Sequence, residues 1–453
     1  MHSTATAGDT QVRYERARAD FSTLCKAGLN IDMTRGKPST DQLDLSNAML
    51  ALPGNGDVLQ ADGGDTRNYF GSVQGLPEAR ALFATMMGAP PERIVIGNNS
   101  SLALMHDCLV YALLKGVPGD TVPWRAAPPI TFLCPVPGYD RHFAVCEHYG
   151  IRMIPIALTG SGPDMDTVER LALDPSVRGM WCVPKYSNPT SETYSEEVIQ
   201  RIASMRTGAA DFRVFWDNAY GVHHLTDRRV EIANILDLSA QAGHPDRPLV
   251  FASTSKITFA GGGLALLAAS DANIKWFVTH SSIRTIGPDK LNQLRHVRFL
   301  RNHAGIERLM GAHRNLLAPK FEVIDAALAR RLQGTGYAHW TKPLGGYFVS
   351  VDVHQGCAAR VVELAKQAGI RMVPAGQTFP YRRDPRDSNL RIAPSFPELR
   401  EVVAAADGIA ICIEYAVAEL LMQMRQDGKA TPEVGRSRDA VGVGSDEAAG
   451  KRA

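Results

Sequence analysis

A lone lysine, Lys256, sits between two apolar runs, Leu249-Val-Phe251 and Leu264 to Ala269, in the stretch Phe251-Ala-Ser-Thr-Ser-Lys-Ile-Thr-Phe-Ala-Gly-Gly-Gly-Leu264. If both runs are buried strands, the ammonium between them is held away from water, which is costly for an unpaired charge. Burial also lowers an amine's pKa, which suits a nucleophile or a Schiff base. Taken alone, the motif more often marks a loop lysine that reaches solvent. Asp217 closes another apolar run, Val214-Phe-Trp216, as a candidate for a partly buried carboxylate that needs a cation. A protonated pyridine nitrogen would serve; capping of the next turn is the competing use. Ser100 and Ser101 open a helical pattern after Ile94-Val-Ile96. Free backbone N–H groups and hydroxyls at such a start make an anion site fit for a phosphate, although ordinary capping explains them too. Ser253 and Ser255 offer two further hydroxyls. Tyr220 and Asn188 can hydrogen-bond a phenolate oxygen, and Tyr139 can stack on an aromatic ring.

From residue 93 the chain alternates strand and helix patterns, and these must position the residues above. Strands are predicted at 94–96, 130–134, 152–158, 180–183, 212–216 and 249–251, and again from Leu264. Helices are predicted from Ser101 to Leu114, Tyr139 to Tyr149 and Met165 to Leu173, and after the capping box Thr193-Tyr-Ser-Glu196. This alternation implies an α/β fold, a mainly parallel mixed sheet covered by helices on both faces. In such sheets ligands collect at the carboxyl ends of the strands. Ser100, Ser101, Asn188, Asp217, Ser253, Ser255 and Lys256 all fall just past predicted strand ends. Beyond residue 289 the pattern turns helical, with a long helix over 306–332 in which Pro319 is a candidate kink. Strands at 346–352, 371–373 and 390–392 and a terminal helix over 397–424 suggest a smaller α+β unit. We expect a large domain over 56–312, a small domain from 12–55 and 313–427, and disordered tails over 1–11 and 428–453.

With 453 residues, 45% hydrophobic, 21% charged and a net charge of +2, the composition is that of an ordinary globular protein. It gives no electrostatic case for nucleic acid or an anionic membrane surface. No apolar run approaches the roughly 20 residues that span a bilayer, and Met1-His-Ser-Thr-Ala lacks an apolar signal core, so no membrane association and a cytoplasmic location are expected. Seven scattered cysteines without a C-x-x-C support neither a disulfide framework nor a metal site.

Several further stretches occur in one order along roughly residues 30–420: Tyr69 to Pro77 with Gln74-Gly-Leu-Pro77, Gly97 to Leu104, Pro135-Val-Pro-Gly-Tyr139, Asn188-Pro-Thr190, Asp217-Asn-Ala-Tyr220, Ser253-Thr-Ser-Lys256, Gly345-Gly-Tyr-Phe348 and Leu390-Arg-Ile392. The set resembles fold-type I pyridoxal-phosphate enzymes of the class I/II aminotransferase family. Ile286-Gly-Pro-Asp-Lys-Leu-Asn-Gln-Leu-Arg-His296 and Leu390-Arg-Ile-Ala-Pro-Ser-Phe-Pro397 make it most similar to the type Ic aspartate aminotransferases.

The resemblance implies pyridoxal 5′-phosphate as cofactor, joined to Lys256 as a Schiff base, with Asp217 on the pyridine nitrogen and Asn188 and Tyr220 on the ring oxygen. Tyr139 would stack on the ring, and the phosphate would sit on Asn99, Ser100, Ser101, Ser253 and Ser255. Arg391 would grip the substrate α-carboxylate beside Gly36 and Asn188, since a planar fork matches a carboxylate. The implied reaction transfers the amino group of aspartate or glutamate to a 2-oxo acid such as 2-oxoglutarate. It would run in a homodimer with shared active sites, where Tyr69 or Phe70 would reach the partner's phosphate.

Two positions depart from the family pattern. Leu264 stands where relatives carry a phosphate-binding arginine, and Ser191 where they carry glycine. For a second substrate carboxylate the candidate is Arg284, with Arg35 and Lys37 as alternatives. Other readings are a carbon–sulfur lyase, a decarboxylase, or an aminotransferase for aromatic or neutral amino acids. An effector-sensing regulator is disfavoured because only about 30 residues precede the first motif, and a nicotinamide enzyme because no G-x-G-x-x-G follows a first strand.

Overall fold

The computed structural model describes residues 7–61, 64–69, 71–119, 122–126 and 129–427. Phe70 and the tail expected over 428–453 lie outside them. Of the tail expected over 1–11, the described part is helical, because a helix runs from Ala7 to Lys26.

A seven-stranded sheet forms the centre: β1 (Ile94–Ile96), β2 (Thr131–Val136), β3 (Arg152–Ala157), β4 (Val177–Cys182), β5 (Arg213–Asp217), β6 (Pro248–Ser253) and β7 (Ala265–Ala268). Their spatial order is β1-β7-β6-β5-β4-β2-β3. Strands β6, β5, β4, β2 and β3 pair in parallel, and β7 runs antiparallel between β1 and β6. The sheet is therefore mainly parallel and mixed, the α/β architecture expected. Its central strands are buried along their whole length, which is why they read as continuous apolar runs and do not alternate. Gly179 in β4 lies under the ring of Phe132; a Cβ there would come within 2.5 Å of the Phe132 ring, so only glycine fits.

Alternate side chains feed two apolar layers. Val214, Trp216 and Val250 enter one, and Phe215, Leu249 and Phe251 the other. A third cluster surrounds a small sheet of β8 (Ala338–Trp340), β9 (Val349–Val353) and β10 (Asn389–Ile392). The helix His303–Leu332 passes through Pro319 and joins two of these bodies. Ile306 and Met310 pack under the large sheet, and Leu317 to Leu332 pack in the third cluster.

The Ala7–Lys26 helix packs along the Leu399–Gln426 helix. There the fully buried carboxylate of Glu414 is met by Arg13 (3.3 Å), Arg16 (2.5 Å) and Arg331 (2.5 Å). A buried charge is tolerable only with partners of this kind. One cap differs from expectation. The helix Glu196–Ser204 takes Ser195 as its N-cap, whose side chain accepts from Val198 N–H, while Thr193 accepts from Tyr186 N–H instead. No described helix is long and apolar enough to cross a membrane.

Candidate active site

The carboxyl ends of β2, β4, β5 and β6 converge on one cleft beside β10. Lys256 follows β6 by three residues, in a turn pinned by Thr254. The Thr254 hydroxyl accepts from Leu264 N–H (2.8 Å) and bonds His296 Nε2 (3.1 Å). The Lys256 carbonyl accepts from Tyr347 O–H and from His223 Nε2, each at 3.4 Å. Its ammonium lies 5.0 Å from the centre of the Tyr220 ring. Although Lys256 keeps a partial opening to solvent, burial pulls its pKa below the ordinary lysine value, against the opposing pull of the Asp217 carboxylate.

Asp217 ends β5 and is buried. His142 Nε2 stands 3.1 Å from its Oδ2, while Oδ1 has no hydrogen-bond partner among the described residues. His142 is stacked on Trp181 with ring centres 4.3 Å apart, and Tyr139 meets it edge-on at 4.9 Å. Burial, then the Asp217 charge, pushes the Tyr139 phenol up to about 12, so it stays neutral. His142 escaped the sequence reading. Its spacing was the available signal, because a histidine three residues after Tyr139 shares a helix face with it.

Arg391 on β10 is buried. Its Nη1 donates to Asn188 Oδ1 (3.3 Å) and Asp140 Oδ1 (3.2 Å), and its Nη2 donates to the Thr34 carbonyl (3.3 Å). Its Nε is buried without a partner, and the guanidinium lies 5.0 Å from the Phe348 ring centre. Asn188 precedes Pro189 through a cis peptide. Gly36 passes so close to Phe348 that a Cβ would come within 2.5 Å of the ring, which keeps this wall of the cleft to backbone. Tyr220 meets the Phe348 ring at 6.2 Å, so Lys256, Tyr220, Phe348 and Arg391 form one continuous wall.

At the opposite end Ser100 caps the helix Ser101–Lys115. Its hydroxyl oxygen accepts from Ala103 N–H, leaving its O–H free to donate. Asn99 donates to Gly261 O (3.1 Å), and Asn292 donates to Gly262 O (2.9 Å) and Gly263 O (3.1 Å), which straps the glycine loop in place. Ala265 N–H donates to Asn98 O and Ala265 pairs with Ser253, whose hydroxyl is 2.9 Å from that of Ser255. The hydroxyls and the helix start thus gather at one place. Leu264 is buried in the apolar layer beneath them.

Four other candidates lie differently. Tyr69 is 81% exposed. Arg284 pairs with Asp107 at 2.9 Å and lines a small cavity with Asn99 and Ser100, so within one chain it is not brought beside Arg391. Lys37 rests its ammonium 3.6 Å from the Phe396 ring centre, and Arg35 is exposed. The sequence reading did not anticipate Asp140, whose contact with Arg391 links residues 251 positions apart.

Comparison with known proteins finds a match to the family model described as aspartate amino-transferase over residues 5–425. The chain is 46% identical over 406 residues to an aspartate aminotransferase of Corynebacterium glutamicum, covering 90% of this chain and 94% of that one. It is 53% identical over 417 residues to a Mycolicibacterium smegmatis protein named as an aminotransferase, covering 91% of this chain and 97% of that one. The crystal structure of a C. glutamicum aspartate transaminase superposes with a TM-score of 0.89 at 45% identity, covering 92% of this chain and 98% of that one.

Proposed function

The chain belongs to the aspartate aminotransferase family, with the fold of the pyridoxal-phosphate-dependent aminotransferases, and from that premise we propose that it moves the amino group of aspartate or glutamate to a 2-oxo acid such as 2-oxoglutarate. We infer pyridoxal 5′-phosphate as its cofactor, with Lys256 as the attachment amine. One observation carries this reading. The buried Asp217 leaves Oδ1 without a partner, at the end of the strand beside the one that leads to a desolvated lysine. An orphaned carboxylate oxygen is costly, and a ring N–H is a fitting partner for it.

Bound pyridoxal phosphate supplies an aldehyde that takes up an amine and a ring that draws electrons from the adjacent carbon. The chain's own groups do the rest. Asp217 Oδ1 accepts the ring N–H, while His142 holds Oδ2 and fixes the carboxylate. Tyr139 covers one face of the ring, and Asn188 and Tyr220 donate to the ring oxygen. Asn99, Ser100, Ser101, Ser253 and Ser255 donate to the phosphate; with leucine at 264, dipoles and hydroxyls carry most of that task. Arg391 holds the α-carboxylate of the substrate beside Gly36 and Asn188. Lys256, as a free amine of lowered pKa, would take the proton from the substrate's Cα and hold it for return.

We further read residues 56–312 as the cofactor domain, 12–55 with 313–427 as the small domain, and the working unit as a cytoplasmic homodimer. The exposed aromatic Tyr69 is then available to the partner's phosphate, and Arg284 to the partner's substrate.

The test is an amino-donor panel with 2-oxoglutarate as acceptor. Aspartate should yield one glutamate per donor consumed; turnover of an aromatic donor in place of aspartate would overturn the substrate, and product without glutamate would overturn amino transfer. In the same panel Arg391→Ala should raise KM for every donor by about 10- to 100-fold, the worth of charge-assisted hydrogen bonds. Arg284→Ala should penalise dicarboxylates alone; equal losses across donors would assign it only the structural pair with Asp107.

A further inference from the structure

A cavity of about 410 Å³ opens on the face of the sheet opposite Asp217, where Trp216 and Val250 point. Trp216, Val250 and Met310 supply apolar wall, and Lys185, Asn218 and Arg314 line it as polar groups. Its size falls within the range of small-molecule sites, and its wall is divided about evenly between apolar and polar surface, room for a ligand with one apolar and one charged end.

Lys185 is the unusual member. It is only 6% exposed, yet it makes no hydrogen bond or ion pair among the described residues, and its ammonium lies 5.5 Å from the Tyr186 ring centre. Its charge acts on Glu231, Arg229 and His224, all of which line the cavity, so the ammonium sits at the cavity wall. Burial, with the Lys185 charge adding to it, pushes the His224 imidazole down to about 4, so it stays neutral. The Glu231 carboxylate attracts Lys185 from a distance, but no lining carboxylate forms an ion pair with it among the described residues. Glu307 is paired with Arg229, and Glu231 stands on the exposed rim. Arg314 reaches outward to the exposed Asp227 at 2.7 Å. An unpaired ammonium kept this deep costs stability, and a bound anion would offset that cost.

We propose that this cavity is a second binding site, distinct from the Arg391 cleft, for a small organic acid whose carboxylate meets Lys185 and Arg314 and whose apolar body lies on Trp216 and Met310. The inference uses neither Lys256 nor the cofactor, so it stands or falls apart from the catalytic reading.

Calorimetric titration of cofactor-loaded Arg391→Ala protein tests it, because that variant lacks the carboxylate grip of the cleft. The probe 4-methylpentanoate should bind saturably at one site per chain, and inorganic phosphate, without an apolar body, at least tenfold more weakly. Adding Lys185→Met should weaken the probe at least tenfold while leaving the ligand-free protein as heat-stable as before or more so, since a desolvated charge is removed. Arg314→Gln, at the rim, should weaken it as well and serves if the methionine variant fails to fold. Absence of saturable binding, or equal affinity with and without these substitutions, would overturn the site. Equal affinity for phosphate would overturn the assigned ligand class.

Discussion

Lys256→Ala is expected to lower kcat/KM by at least about 10⁴-fold, because the variant loses both the attachment amine and the group that moves the proton. A positioned acid–base alone is worth roughly 10²–10⁴ in rate, and four decades correspond to about 5.4 kcal/mol of transition-state stabilisation. The fold should survive. Burial already penalises the Lys256 ammonium, and its side chain faces the cleft rather than a packed layer. Alanine therefore removes a desolvated charge, and thermal unfolding of the cofactor-free protein should be unchanged or shifted upward. Steady-state kinetics with aspartate and 2-oxoglutarate, read beside a melting curve, separates loss of chemistry from loss of structure. Retention of more than a tenth of the activity would remove Lys256 from the mechanism.

Asp217→Asn should have the next largest effect, a loss of about 10²–10³-fold, the range for deleting one preorganised charge partner in a dry site, or roughly 2.7–4 kcal/mol. The amide is nearly isosteric and can still hydrogen-bond His142, but it carries no negative charge to balance a ring cation. The effect on stability should have the opposite sign. In the cofactor-free protein Asp217 is a buried carboxylate with one oxygen unpartnered, so neutralising it should stabilise by about 1–3 kcal/mol. That gain should disappear when cofactor is bound, because the carboxylate then has its partner. A variant destabilised in both states would mean that Asp217 serves the fold and not the ring.

The sheet was legible because its central strands are buried on both faces and so appear as short apolar runs between helical patterns. The residues past those runs, among them Ser100, Asn188, Asp217, Ser253 and Lys256, are brought to the carboxyl ends of the strands because a parallel sheet puts all such ends on one edge. What could not be read depends on contacts between distant segments. His142 gains its meaning only when its helix lies over β5, and Asp140 only when β10 brings Arg391 to it. The Ala7–Lys26 helix begins earlier than its weak periodicity suggests, in a segment whose Arg13 and Arg16 are drawn to a glutamate about 400 residues away. Most helical stability in proteins comes from tertiary packing, so such contacts decide where the helix starts. At the Glu196 helix two hydroxyl residues compete within three positions, and the backbone bond from Ser195 N–H to Ser161 O favours Ser195 as cap. Lys185 looks like any lysine beside a strand until the fold buries it without a hydrogen bond or ion pair among the described residues.

In the proposed mechanism one amine, on Lys256, carries the cofactor opposite the carboxylate of Asp217. Borohydride reduction of the purified protein with pyridoxal phosphate, followed by peptide mass mapping, tests it most directly. A single phosphopyridoxyl label is expected on Lys256, absent from Lys256→Ala; a label confined to any other lysine, or no label at all, would overturn the assignment.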